Sequence, residues 1–152
     1  MSSRLKCSAQ VSRCRCCEGS TGRGVAILAF GTLLQRAKQP AARLDATLGN
    51  MRFVKPLNGD LILSLLAQHD LLVTLEEMTL EENVLVGGAG AAVAEFLTSR
   101  GVVHPLPHLG SPDRFVAHGN VNDQFAQCGL DKDGIYCAIR ARRPPQNERA
   151  TG

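Results

Sequence analysis

Gly24-Val25-Ala26-Ile27-Leu28-Ala29-Phe30 decides the class of this chain. Six apolar residues follow the glycine with no polar residue in alternate places, so an extended segment here would be apolar on both faces. That is the pattern of a strand covered by helices on each side, at the centre of a mostly parallel sheet. It is also the longest apolar run in the sequence, far short of the roughly 18 residues that cross a bilayer. No membrane partner is expected.

Working outward, short apolar runs alternate with amphipathic stretches, as in repeated strand-helix-strand units. Gly31 and Thr32 allow a sharp turn and a helix cap before Leu33 to Leu44, where Leu33, Leu34, Ala37, Ala41 and Leu44 return at helical spacing. Pro40 removes a hydrogen bond inside that stretch and predicts a kink or a restart near Gln39. Met51 to Val54 reads as the second strand. Asn58 caps a helix over Asp60 to Gln68 with Leu61, Leu65 and Leu66 as its buried stripe, closed by His69 and Asp70. Leu71 to Leu75 is a third strand, Val86-Gly87-Gly88-Ala89-Gly90 opens a helix through Phe96 and Leu97, and Val102 to Leu109 is extended because Pro105 and Pro107 forbid a helix. After a turn-rich segment from Gly110 to Gly119 come two short helices. The second is capped by Asp131 and carries Ile135, Ala138 and Ile139.

The length of 152 residues is that of one domain. Residues 1–23 stand apart from it. Arg4, Lys6, Arg13, Arg15 and Arg23 against Glu18 give this leader a charge of +4, so the overall +3 leaves −1 for the rest. No basic stripe with interleaved aromatics remains to bind nucleic acid. The leader lacks the apolar stretch of a secretory signal; its Ser, Arg and Cys content has a faint transit-peptide character, and a cytoplasmic location is the expectation. Four of the six cysteines (Cys7, Cys14, Cys16, Cys17) lie in it without the paired spacing of a zinc knuckle. The expected division is a disordered leader at 1–23, an α/β domain at 24–143 and a disordered tail at 144–152.

Six blocks then appear in order: GVAILAFGTLL (24–34), NMRFVKPLN (50–58), HDLLVTLEE (69–77), EENVLVGGAGAAVAEFL (81–97), LGSPDRFVAHG (109–119) and GLDKDGI (129–135). Together they resemble the last domain of the 1-deoxy-D-xylulose-5-phosphate synthase family. The FVKPL, GGAGAAV and PDRF blocks separate it from the wider transketolase C-terminal domains. The resemblance implies a three-layer α/β domain with a mostly parallel, roughly five-stranded sheet flanked by helices.

It further implies descent from a thiamine-diphosphate and Mg²⁺ enzyme that joins pyruvate to glyceraldehyde 3-phosphate, a step toward isoprenoids and thiamine. In that family the cofactor stabilises the carbanion, while upstream domains hold it. Those upstream domains, or a homodimer partner, are therefore the expected partners. This sequence has no GDG followed by paired asparagines, and Asn58-Gly59-Asp60 and Asp131-Lys132-Asp133-Gly134 do not replace it. Glu77 and Glu82 are the best single glutamates, and neither has the aromatic-rich pocket a catalytic role needs. No catalytic, cofactor-binding or metal residue carries over, and no turnover is expected of the chain alone. A free-standing interaction module, or one piece of a split enzyme, is the alternative.

Two departures stand out. The leader matches nothing in the family, and Thr74-Leu75-Glu76-Glu77-Met78 is followed by Thr79-Leu80-Glu81-Glu82-Asn83, a duplication of five residues. Inside a strand it would flip the side-chain register, so a surface loop is expected. Glu76, Glu77, Glu81 and Glu82 then read as solvated acids rather than a cation site. Gly87, Gly88 and Gly90 read as a tight turn with close packing rather than a phosphate cradle. His104 and His108 lie on extended chain and do not form a metal pair. His69 and His118 read as capping or loop residues, Asp113 and Arg114 as structural, and Cys128 and Cys137 as partly buried apolar residues.

Overall fold

A computed structural model describes residues 10–13, 24–77, 80–81, 84–85, 88–111 and 120–143. The first half holds β1 (Gln10–Arg13), β2 (Gly24–Phe30), α1 (Leu33–Leu44), β3 (Thr47–Met51), α2 (Gly59–Gln68) and β4 (His69–Leu75). The second half holds β5 (Leu80–Glu81), β6 (Val84–Leu85), α3 (Ala89–Ser99), β7 (His108–Leu109), α4 (Val121–Gln127) and α5 (Lys132–Arg142).

The main sheet runs in the order β1-β3-β2-β4-β7. β3, β2, β4 and β7 are parallel, and β1 joins the β3 edge antiparallel. The central strand is β2, as its unbroken apolar run requires. Ala26, Ile27, Leu28 and Ala29 are all at 0% exposure, so both faces are covered. Val25, Ile27 and Ala29 pack with Leu33, Ala37 and Ala41 of α1 and with Ile135 and Ile139 of α5. Ala26, Leu28 and Phe30 pack on the opposite side with Ile62 and Leu65 of α2 and Val93 and Leu97 of α3. Burial of side chains the size of Ile27 and Leu28 stabilises the fold by about 1.5–3 kcal/mol each.

Local chemistry sets the helix ends. The Asn58 side chain accepts from the backbone of Leu61, and Asp131 accepts from Gly134. These side chains satisfy N–H groups that the first turn leaves unpaired. α1 ends at Asp45, which is left-handed, with Ala46 donating back to the Ala41 carbonyl.

Several expectations change. The second strand is Thr47–Met51 rather than Met51 to Val54: Gly49 belongs inside it, because a Cβ there would stand 3.3 Å from Leu28. Phe53 and Val54 are exposed beyond its end. Pro40 is buried within one helix, without a restart. His69 and Asp70 open β4 instead of closing α2, since β2 offers Gly24 as a partner for His69. In α2 the buried positions are Ile62 and Leu65, with Leu61 and Leu66 half-buried, so the inward face is turned by about one residue from the expected stripe. Of the extended stretch from Val102, only His108 and Leu109 pair as a strand.

Within the leader, Gln10–Arg13 is a strand rather than structureless, paired with Thr47–Asn50. It covers hydrogen-bonding groups that an edge strand otherwise leaves unpaired. The other leader residues, with Cys7, Cys14, Cys16 and Cys17, and the tail at 144–152 lie outside the described residues. The first copy of the duplication begins inside β4 with Thr74 and Leu75, and beyond it Leu80–Glu81 and Val84–Leu85 pair with each other as a separate antiparallel ladder. Among the described residues no helix is long and apolar enough to cross a membrane.

Candidate functional site

α1, which follows β2, and α3, which follows β4, pack on opposite faces of the sheet. The neighbouring strands β2 and β4 thus form a switch point, and in open α/β sheets the crevice outside the carboxyl ends at such a point is where ligands bind. Gly31, Thr32, Glu76 and Gly88 come together in this part of the fold, with His108 contributed by β7.

Glu76 follows directly on β4 and is only 2% exposed. Its carboxylate accepts the backbone N–H of Ala89 at 2.5 Å and that of Gly90 at 3.0 Å. The first turn of a helix carries unpaired N–H groups and the positive end of the dipole, so it favours an anion. Here that anion is the chain's own side chain. A Cβ on Gly88 would stand 2.7 Å from both carboxylate oxygens, which explains the glycine. Glu76 is therefore not one of a set of solvated acids; burial is tolerable because the charge meets two donors.

Thr74, in β4, and Glu76, just beyond its end, both face Gly90. Thr74 is fully buried, and its hydroxyl lies 2.6 Å from Nδ1 of His108. A Cβ on Gly90 would lie 2.5 Å from that nitrogen and 2.8 Å from the Thr74 hydroxyl. Burial lowers the pKa of His108 below 6.5, and the Glu76 charge opposes this. Both glycines are needed for close approach, in keeping with the packing reading of the glycine-rich turn.

The remaining candidates scatter. Glu77 is exposed, only the backbone of Glu81 is described, and Glu82, Gly87, Asp113, Arg114 and His118 lie outside the described residues. His104 contacts the Pro105 carbonyl, whereas His108 meets Thr74, so the two histidines do not act together. His69 reaches the Leu65 carbonyl and the Thr47 hydroxyl, a capping role. Cys128 is half-buried, 3.8 Å from the Ser111 hydroxyl, while Cys137 is exposed rather than partly buried. Its helix α5 turns Ile135 and Ile139 inward, which directs the residue two after Ile135 toward solvent.

Sequence reasoning missed the Thr74–His108 contact and the burial of Glu76. The signal was present as two polar residues, spaced by two, on an apolar strand that precedes a glycine-rich turn. Among the described residues no three His, Cys, Asp or Glu side chains converge as a metal site. Among these residues the buried carboxylate, Glu76, is committed to Ala89 and Gly90, so this donor set does not fit Mg²⁺ or thiamine diphosphate.

The transketolase C-terminal domain model matches residues 18–135, which span β2 through the first turn of α5. The chain belongs to the transketolase C-terminal domain family. Within this family it is similar to 1-deoxy-D-xylulose-5-phosphate synthase of Thioalkalivibrio sulfidiphilus, 54% identical over 121 residues that make up 80% of this chain and 18% of that protein. The enzyme of the same name from Nitrosospira multiformis is 50% identical over 123 residues, 81% of this chain and 19% of the relative. The chain thus spans less than a fifth of these relatives' length, over their C-terminal region. Among solved structures it resembles a split-gene transketolase described as an inactive β4 tetramer, with a TM-score of 0.68 and 26% identity over 79% of this chain and 39% of that one. The family match begins at residue 18, six residues ahead of the expected domain start at Gly24.

Proposed function

We propose that this chain serves as the C-terminal domain of a 1-deoxy-D-xylulose-5-phosphate synthase, a packing and dimer-forming part that has no turnover by itself. One observation carries this reading: about half of its residues match these enzymes over 80% of its own length but only 18% of theirs. In this reading thiamine diphosphate and Mg²⁺ are held by other domains, which supply the carbanion chemistry, and a cytoplasmic location follows from that role. The commitment of Glu76 to the α3 N-terminus favours a structural use of the switch point over a ligand there. The resemblance to a split-gene transketolase favours a second form of the same reading, in which the chain is one piece of an enzyme assembled from separate polypeptides.

The test combines the purified chain with the Thioalkalivibrio sulfidiphilus relative cut just before its matching region, in the presence of pyruvate, glyceraldehyde 3-phosphate, thiamine diphosphate and Mg²⁺. Co-purification of the two polypeptides and product formed only by the mixture are expected. Product from the chain alone, or an upstream piece that neither binds it nor gains activity, would overturn the reading.

A further inference from the structure

No single stretch of the sequence is a basic stripe with aromatics between, but the fold assembles one from three helices. Arg36 and Arg43 are seven apart on α1, hence on one face and about 10 Å apart along its axis. Arg36 lies over the ring of Phe125 from α4 at 4.0 Å, and Arg43 over that of Tyr136 from α5 at 3.8 Å. Arg140, one turn beyond Tyr136, stands 6.0 Å from the centre of the same ring. The surrounding charge is one-sided. α1 and α5 carry Arg36, Lys38, Arg43, Lys132, Arg140 and Arg142 against one acid, Asp133, with Asp123 added by α4. On the opposite face of the sheet α2 and α3 carry Asp60 and Glu95 and no cation. Asp133 answers Arg43, while the partner of Arg36, Asn122, is neutral. A guanidinium has five N–H donors, so both arginines keep donors to spare.

We propose that this stripe binds single-stranded nucleic acid, with phosphates on the guanidinium forks and bases against the stacked planes. A cationic track combined with flat π surfaces holds a single strand whatever its sequence. Arginine serves here where lysine would not, because its plane stacks while its edge donates. A membrane fits less well: α1 and α5 turn Leu33, Ala37, Ile135 and Ile139 into the core, which leaves these helices no apolar face to insert into lipid. An acidic peptide would use the charge and leave the stacked planes idle. Contacts of this kind are electrostatic in the main, so the affinity is modest and falls steeply with salt.

Fluorescence anisotropy of a labelled oligouridylate of about fifteen nucleotides, titrated with the full chain, tests this without any upstream polypeptide. One phosphate contact for each of Arg36, Arg43 and Arg140 implies binding that weakens about twentyfold between about 50 and 200 mM salt. Arg36→Glu with Arg140→Glu should lower the affinity by about tenfold or more and flatten the salt dependence. Tyr136→Leu should lower it by about fivefold or more with the salt dependence kept, as loss of stacking does. Arg100→Glu, which alters a stacked arginine of the opposite layer, should leave binding as it is. Thermal melts show which variants fold, and Arg140→Glu alone carries the test if the double variant does not. Absence of binding at low salt overturns the proposal. So does an affinity unaltered by the stripe variants, as would follow if the basic leader held the strand. Polyglutamate or phosphatidylglycerol vesicles bound as tightly as the oligonucleotide overturn it too. Either failure leaves the proposed role with the upstream domains standing, since none is present in the assay.

Discussion

The Glu76 carboxylate accepts the backbone N–H of Ala89 at 2.5 Å, joining the end of the central-sheet strand β4 to the first turn of α3. With the Gly90 N–H as the second donor, this carboxylate fixes where the helix starts. Glu76→Gln keeps the shape but removes the charge and leaves one donor facing an amide NH₂. Because charge-assisted bonds contribute about 1.5–3 kcal/mol, a loss of roughly 2 kcal/mol in urea unfolding is expected. Glu76→Ala should cost more. A change within error in either variant would show that the clamp contributes nothing.

Gly90→Ala places a methyl group where His108 Nδ1 and the Thr74 hydroxyl already stand. In an open helix interior the same change would stabilise by up to about 1 kcal/mol. Here overpacking should reverse the sign, lowering stability by about 1–3 kcal/mol. Thermal melts of the variant decide between the two.

His108 makes stability depend on pH. Its pKa in the folded chain lies below the ordinary 6.5, chiefly because burial disfavours the charged ring. As pH falls through about 6.5 the unfolded chain takes up the proton first. Stability should therefore decline from there down to the folded pKa and then level off; above about 6.5 this group adds no slope. His108→Gln should flatten the decline between pH 7 and 5, read from urea midpoints. An unchanged slope would place its origin elsewhere.

Arg43 stacks 3.8 Å from the ring centre of Tyr136 and reaches Asp133 at 2.7 Å, tying α1 to α5. The ion pair is open to water, with Asp133 81% exposed, and pairs of this kind give about 0–1 kcal/mol. The stack should carry more than the charge. Arg43→Ala is expected to lower stability by about 1–2 kcal/mol, from lost cation–π contact and packing, and Asp133→Asn by under about 0.5. Equal losses in the two variants would reverse that ranking.

Much of the architecture was legible because β2 has no polar alternation and because Asn58 and Asp131 are strong caps. Thr47–Met51 was misplaced because Gly49 and Asn50 look like turn residues; only the proximity of Leu28 and Leu65 explains a glycine inside that strand. Glu76 read as surface for a similar reason. Its local sequence is acidic and repeated, and its burial depends on a helix terminus thirteen positions later folding back over it. Thr74 and His108 lie thirty-four positions apart and meet only because β4 and β7 are neighbours in the sheet. Periodicity reports which face is buried, but not which polar atoms become partners there.

The seating of α5 against α1 bears on when this chain can fold. Arg36 meets Asn122 and Arg43 meets Asp133 across 86 and 90 positions, and Ile135 and Ile139 share a core with Val25 and Ile27. During synthesis the N-terminal part emerges first, so the central strand leaves the ribosome with one of its two faces only half clad. That face is completed when a helix made near the end of translation arrives, a closure over most of the domain's length. A nascent chain stopped before Ile135 would present Val25, Ile27 and Ala29 to chaperones, whereas one extended past Ile139 carries the two α5 side chains that cover them.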